Sequence, residues 1–218
     1  DLHLPVSEKV IPFKIARDVI LTNPDSIAVG TCPCRRSSAN SCLPPPMEVC
    51  LFVGDPHASF IAVQNTTFRK ISQEEAVRIL EDCHRKGFVH CAYFKKDLGN
   101  RFYAICNCCK CCCLGMIAWH LMGGQSPGGL APSGYVAEVN DECSGCGACA
   151  ENTCHFEAIS MNNESTKAVI SLERCMGCGV CEDVCPVGAI SLRQEPSRGS
   201  PLDIDELKRQ GSTLRDIM

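Results

Sequence analysis

Residues 143–154 read CSGCGACAENTC and residues 175–186 read CMGCGVCEDVCP, with twenty residues between the two runs. Each run opens with three cysteines separated by two residues: Cys143, Cys146 and Cys149, then Cys175, Cys178 and Cys181. A fourth cysteine follows, Cys154 after a gap of four residues (Ala150 to Thr153) and Cys185 after a gap of three. Gly145, Gly147, Gly177 and Gly179 stand between these cysteines, where a missing side chain lets the backbone close on a bound centre and turn its amides toward sulfur. Ala158-Ile159 and Ala189-Ile190 follow the fourth cysteines at matching positions, so the stretch is an internal duplication. Structural zinc takes its ligands from two separated pairs rather than two runs of four. Nothing else in the chain points to a secreted disulfide scaffold.

Cys175, Cys178, Cys181 and Cys185, followed by Pro186, resemble the C-x2-C-x2-C-x3-C-P run of bacterial-type ferredoxins that carry two [4Fe-4S] clusters. The resemblance covers residues 136–192 and implies a pseudo-symmetric (βαβ)2 dicluster fold. In that family three close cysteines wrap three corners of one cubane, and the fourth lies too far along to close it and ligates the other. The resemblance therefore implies one cluster on Cys143, Cys146, Cys149 and Cys185, and a second on Cys175, Cys178, Cys181 and Cys154. Gly145, Gly147, Gly177, Gly179 and Pro186 would line them. The first run departs from the pattern in two places: the extra residue before Cys154, and His155 where the second run has Pro186. Both predict a locally altered loop around Cys154.

Twenty cysteines in 218 residues is a level that flags a cysteine-built scaffold, and their clustering favours metal. Thiolates and exposed clusters need a reducing compartment, so the expected location is the cytoplasm of an anaerobic or microaerobic organism. No apolar run approaches the roughly 18 residues needed to cross a bilayer. The nearest, Leu114 to Met122, reads as a buried helix. The net charge of −4 is uneven: residues 1–115 carry 14 Lys and Arg against 11 Asp and Glu, and the remainder 7 against 14. An acidic C-terminal half suits docking to a basic redox partner, and equally suits simple solubility.

In the N-terminal half the pattern predicts a helix over 14–21, ended by Asn23-Pro24, and a buried strand over 26–30 that delivers Cys32-Pro33-Cys34-Arg35-Arg36. A Ser-, Asn- and Pro-rich loop (37–46) carries Cys42, and Cys50 falls in a strand over 49–53. Asp55-Pro56 reads as N-cap and first residue of a helix to Gln64. Ser72 with Glu75 reads as a capping box opening a helix over 73–86, with Ala76, Ile79, Leu80 and Cys83 on its apolar stripe and Gly87 closing it. Strands over 88–94 and 101–105 complete a winged-helix-like outline. The half carries a balance of only +3 and no basic recognition helix, so nucleic acid is not an expected partner. Cys83 and Cys91 read as core thiols.

The second strand runs into ICNCCKCCC (105–113), six cysteines in eight residues. Neighbouring side chains point in different directions on any regular element, so no single site can use all six. A helix beginning near Cys109 would put Cys109, Cys112 and Cys113 on one face, where they could meet Cys32 and Cys34. The run CPCR, the lone Cys42, VCLF, EEA-x-x-IL, GFVH and ICNCCKCCC are together similar to the N-terminal module of 4Fe-4S-binding proteins of anaerobes, over roughly residues 10–120. That resemblance implies a third metal site drawn from Cys32, Cys34, Cys42, Cys50, Cys106, Cys108, Cys109 and Cys112. It would hold a further Fe–S cluster, with structural zinc or a redox dithiol as alternatives. Arg35 and Arg36 lie beside it, as surface charges, donors to cluster sulfur or contacts for an anionic substrate.

The expected architecture is α+β: a cysteine-rich α/β module with a winged-helix-like unit (1–122), a Gly/Pro linker (123–135), a (βαβ)2 dicluster ferredoxin-like domain (136–194), and a tail with a short helix (195–218). No dinucleotide fingerprint or P-loop is present. The expected function is relay of single electrons between redox protein partners, as a carrier subunit of an oxidoreductase system. Two other readings stand beside it: a redox enzyme whose N-terminal cluster binds substrate, and a redox sensor that reads DNA.

Overall fold

The computed structural model describes residues 8–22, 26–38, 47–95, 101–124, 129–162 and 166–207. Chain order is β1 (Glu8–Ile11), α1 (Phe13–Thr22), β2 (Ile27–Thr31), α2 (Pro33–Ser37), β3 (Glu48–Val53), α3 (His57–Gln64), β4 (Phe68–Ile71), α4 (Gln73–Arg85), β5 (Val89–Lys95) and β6 (Arg101–Cys108). Then come α5 (Leu114–Leu121), β7 (Leu130–Ala131), β8 (Tyr135–Val139), β9 (Ile159–Met161), β10 (Ala168–Ile170), α6 (Val180–Asp183) and β11 (Ile190–Gln194).

Seven strands form one sheet in the order β4-β2-β3-β6-β5-β1-β7. All pairs are antiparallel except β1 with β7. Strand alternation sorts its two faces. One face presents Ile27, Val29, Leu51, Val53, Ala92 and Ile105, which pack under Ala16, Val19 and Ile20 of α1 and Ala76 and Leu80 of α4. The other face carries Cys50 and Phe52 of β3, Cys91 and Tyr93 of β5, and Cys106 and Cys108 of β6. The fold thus spends one side of the sheet on an apolar core and the other on thiols.

The local signals behave as their chemistry requires, with some differences. Ser72 Oγ accepts from Glu75 N at 3.2 Å and caps α4, while Glu75 turns its carboxylate to Arg69 at 2.7 Å instead of back to the cap. Asp55 is not the N-cap of α3: Pro56 holds that position and Asp55 accepts from Ser59 Oγ. The helix–strand–strand unit of α4, β5 and β6 forms, but both strands have outer partners, β1 and β3, and lie inside the sheet rather than as a free wing. Residues 109–113 make a turn, with Cys112 and Cys113 donating to Cys109 O at 3.3 and 3.0 Å. No helix begins at Cys109; α5 starts at Leu114, where the apolar run 114–122 reads as a helix, with Cys113 at its N-cap position.

In the C-terminal part, β8 pairs with β11 and β9 with β10, so the segment after each fourth cysteine becomes a strand. The second half has the short helix α6. The first half has turns over 148–153 instead, with Asn152 at φ 58°, where the extra residue is accommodated. The stretch 123–135, read as a linker, contributes β7 to the edge of the large sheet, and Leu130 is buried. The tail folds back: Leu202, Ile204 and Leu207 pack against the core under α1 and α4, and Asp203 Oδ1 caps the turn at 204–207 by accepting from Asp205 N and Glu206 N at 2.9 and 3.0 Å. Among the described residues no helix is long and apolar enough to cross a membrane.

Candidate metal centres

The two cysteine runs of the duplication fold into matching loops. Gly145 and Gly177 hold φ of 72° and 65°. A Cβ on Gly145 would collide with Thr166 O, and one on Gly177 with Tyr135 O and Ser133 Oγ. Ser133 Oγ itself donates to Gly177 O at 2.9 Å. Gly177→Ala is therefore expected to combine strained backbone with overpacking, about 3 kcal/mol or more. Iron content of the anaerobically purified variant, compared with that of Ser191→Ala as a surface control, checks it.

Cys143, Cys146, Cys149 and Cys185 line one small pocket, with Gly147, Pro186 and Ile190 around them. Cys154 instead falls with the other loop. The Cys178 thiol is pushed up to about 12, by burial first and then by neighbouring Cys154 and Cys175. Cys181 is raised by burial and then by Cys178, Cys175 and Cys154, with Cys149 of the first group next. The fourth cysteines also match in their hydrogen bonding: Ala158 N donates to Cys154 Sγ at 3.3 Å and Ala189 N to Cys185 Sγ at 3.2 Å. Ala137 N donates to Cys175 Sγ at 3.4 Å. Amide donors of this kind tune the potential of a thiolate-bound centre.

The N-terminal cysteines meet around a cavity of about 250 Å³. Cys32 caps α2 and Cys34 lies within it; Cys50 comes from β3; Cys106 and Cys108 alternate with Asn107 on β6; Cys109, Cys112 and Cys113 come from the turn before α5. Of the eight sequence candidates, seven line this cavity and Cys42 lies outside the described residues. Cys113 is an eighth lining thiol, flagged by the expected helix face but left out of the candidates. The exposed Cys111 sits at the rim, 3.3 Å from Cys109 and 3.5 Å from Cys112. The thiols form a chain of hydrogen bonds, Cys34–Cys32–Cys50–Cys106–Cys108, which branches to Cys91 and Cys113. Donation from Cys106 and then Cys32 pulls Cys50 down toward thiolate, and hydrogen bonds to Cys108 and Cys50, followed by burial, push Cys106 up.

Buried polar groups hold the cavity wall. Asn107 Oδ1 accepts from His90 Nδ1 at 2.6 Å, and Asn107 Nδ2 donates to Val49 O at 2.8 Å. Arg35, buried at 2 % exposure, donates to Asn107 O at 2.8 Å and lays its guanidinium 4.2 Å over the Phe88 ring. It is a cationic side chain among the cavity's lining residues. Phe52, Phe68, Tyr93 and Tyr103 supply the aromatic part of the lining.

The two parts of the chain share one buried core. Cys108, Cys113, Met116 and Trp119 pack with Phe156, Met176 and Val180, and Cys106, Cys154 and Cys178 border the same cluster. None of Cys143, Cys146, Cys149 and Cys185 belongs to it. His155 is the polar joint. Its Nε2 lies 2.7 Å from Gly87 O, Lys110 N lies 3.4 Å from its Nδ1, and His120 Nε2 reaches its carbonyl at 2.8 Å. A carbonyl only accepts and a backbone N–H only donates, so the ring is neutral with its proton on Nε2. Burial, which lowers its pKa, agrees. The departure of the first run from the ferredoxin pattern thus ties the Cys154 loop to the turn that carries Cys109 and Cys111.

The pattern of the 4Fe-4S dicluster domain family matches residues 142–189. An uncharacterized ferredoxin of Methanocaldococcus jannaschii is 43% identical over 56 residues, which is 24% of this chain and 86% of that one. A dihydromethanopterin reductase (acceptor) of Methanosarcina mazei is 36% identical over 64 residues, 29% of this chain, and the match spans only 23% of the reductase. The donor set fits the group this family binds: eight cysteines in two sets of four, on glycine-shaped loops with amides aimed at sulfur. The chain belongs, through this domain, to the ferredoxins that carry two [4Fe-4S] clusters.

Proposed function

We propose that the chain relays single electrons through three metal centres placed in series. Cys143, Cys146, Cys149 and Cys185 hold the first cubane, and Cys154, Cys175, Cys178 and Cys181 the second. The N-terminal module holds a third Fe–S centre on ligands drawn from the thiols of the large cavity. Each cluster supplies one-electron redox chemistry when bound; the protein supplies the spacing, the burial and the sulfur hydrogen bonds that set potential. The observation that carries the order is the shared core: Cys154 and Cys178 border the same buried cluster as Cys106, Cys108 and Cys113. The second cubane is therefore the neighbour of the N-terminal centre. The first, with Cys146 exposed, faces the redox partner.

Serine replacement separates the two cubanes. Cys185→Ser is expected to lower iron by up to about 4 per chain and to leave reduction of the N-terminal centre dependent on a donor able to reach the second cubane directly. Cys154→Ser is expected to keep the first cubane and abolish electron delivery from it to the N-terminal centre. Low-temperature electron paramagnetic resonance of the dithionite-reduced variants reads both. Equal reduction of the N-terminal centre in Cys154→Ser and wild type would count against a series arrangement.

A second reading has its own support. Aromatic side chains, Phe52, Phe68, Tyr93 and Tyr103, form one wall of the thiol cavity, and Arg35 is buried beside it. That gives the N-terminal centre an apolar side on which a small substrate could be reduced with electrons from the ferredoxin domain. The similarity to part of a reductase is in keeping with this reading. Binding of an exogenous ligand such as cyanide to the N-terminal centre, seen as a spectral change absent from the two cubanes, separates the enzyme from the pure relay.

A further inference from the structure

Glu8 is a buried carboxylate with no cationic partner among the described residues. It opens β1, where it pairs with Tyr93, and two positions along Val10 pairs with Cys91. On the next strand Cys91 faces Cys106 and Val89 faces Cys108. Residues two apart on a strand share a face, so Glu8, Cys91 and Cys108 project from three adjacent strands to the thiol side of the sheet. Glu8 Oε, Cys91 Sγ and Cys108 Sγ all lie within 4.8 Å of one another. Cys113, at the N-cap of α5, hydrogen-bonds to Cys108 and feels the charge of Glu8. All four are buried, with exposures of 4 %, 0 %, 7 % and 4 % in the order Glu8, Cys91, Cys108, Cys113.

The carboxylate is only half satisfied. Glu8 makes hydrogen bonds to Tyr93 and Cys91, yet its Oε1 is buried without a partner among the described residues. A buried carboxylate oxygen left unpaired is costly, and proteins resolve it by protonation or by a cation. The surrounding sequence makes room for this group: a Cβ on Gly115 would stand 2.5 Å from Glu8 Oε2, so the carboxylate occupies the space beside that glycine. The neighbouring Lys9 turns away, to Ser200 O at 2.6 Å.

We propose that Glu8, Cys91 and Cys108 hold a single divalent cation of the zinc or ferrous class, with Cys113 completing a tetrahedral set at the floor of the N-terminal cavity. Three thiolates exclude the hard cations calcium and magnesium, and one carboxylate with three thiolates is a donor set that zinc and ferrous iron accept. Complete burial makes it a closed position, one that holds β1, β5, β6 and the start of α5 together. The site touches the reading of the N-terminal module as a metal centre through Cys108 and Cys113, which both line the large cavity.

The test is the metal and sulfide content of the full chain, purified anaerobically as wild type, Glu8→Gln and Cys91→Ser. Wild type is expected to hold one zinc or one iron beyond the iron matched one-to-one by acid-labile sulfide. Both variants are expected to lose that ion and to keep their sulfide and the cubane resonances, which also reports that they fold. Glu8→Gln preserves shape and hydrogen-bonding capacity, so a carboxyl that is merely protonated and structural would tolerate it with no change in metal. Unchanged metal in both variants overturns the proposal, as does wild-type iron equal to sulfide with no zinc. Sulfide for two clusters only, with the extra ion present and lost in Glu8→Gln, would overturn the third Fe–S centre and leave this site standing. Zinc and iron are told apart by the elemental count itself.

Discussion

His155→Ala is expected to lower the stability of the chain by about 2–3 kcal/mol, because it strips partners from Gly87 O and Lys110 N inside the joint between the two parts. For a chain of this length that is a fall of roughly 5–10 °C in the thermal midpoint, measured anaerobically on the metal-loaded protein. The larger consequence is functional. His155 follows directly on Cys154, a proposed ligand of the second cubane, and its ring accepts from Lys110 in the turn between Cys109 and Cys111. Loosening it is expected to slow reduction of the N-terminal centre while iron and sulfide stay at wild-type levels. His155→Pro sharpens the comparison. It restores the residue that follows the fourth cysteine in the other half, Pro186, so both cubanes are expected to assemble while the joint is lost. Wild-type electron delivery in both variants would show that His155 is a packing residue only.

Trp119→Ala is expected to be the most destabilising single change at this joint, by about 3–5 kcal/mol. Trp119 is 1 % exposed. Its ring meets Phe156 edge-on at 5.1 Å and carries the Arg174 guanidinium 5.2 Å above it. Arg174 in turn donates to Phe156 O at 3.1 Å, so indole, phenyl ring and guanidinium form one unit across the two parts. Truncation to alanine empties a volume that neither α5 nor the ferredoxin loop can fill. Trp119→Phe keeps an aromatic edge for Phe156 and is expected to cost less than half as much. Urea unfolding followed by far-ultraviolet circular dichroism under anaerobic conditions gives both values. A cost below about 1 kcal/mol for Trp119→Ala would mean that the two parts are not held through this core.

The elements whose signals are local were readable in the sequence. α4 announces itself through Ser72, its apolar stripe and Gly87, and the cysteine runs of 143–185 fix their loops through spacing alone. The strand read over 101–105 runs on to Cys108, which puts Cys106 and Cys108 on one face. Elements defined by distant partners were not readable. β1, β4 and β7 are two to four residues long and exist only through pairing with β5, β2 and β1. α2 (Pro33–Ser37) forms where the sequence reading assigns no element, between the strand over 26–30 and the loop over 37–46. The winged-helix outline had the right elements, but strand order is a non-local property, and β5 and β6 lie in the middle of the sheet. Glu8 carried no site signal in its own neighbourhood, since its burial depends on a strand some eighty residues away. Cys91 read as a core thiol for the same reason: only the register with β1 and β6 brings a carboxylate and a second thiol beside it. His155 stood out as a departure from the ferredoxin pattern, but its partners, Gly87 and Lys110, come from the other half of the chain.

The most direct test of the relay is the iron, zinc and acid-labile sulfide content of the chain purified without oxygen. Two cubanes in residues 143–185 and a third in the N-terminal cavity predict about 12 iron and 12 sulfide per chain, with the Glu8 ion in excess of sulfide. About 8 iron and 8 sulfide would contradict the account, leaving a two-cluster ferredoxin whose N-terminal module is a scaffold outside the electron path.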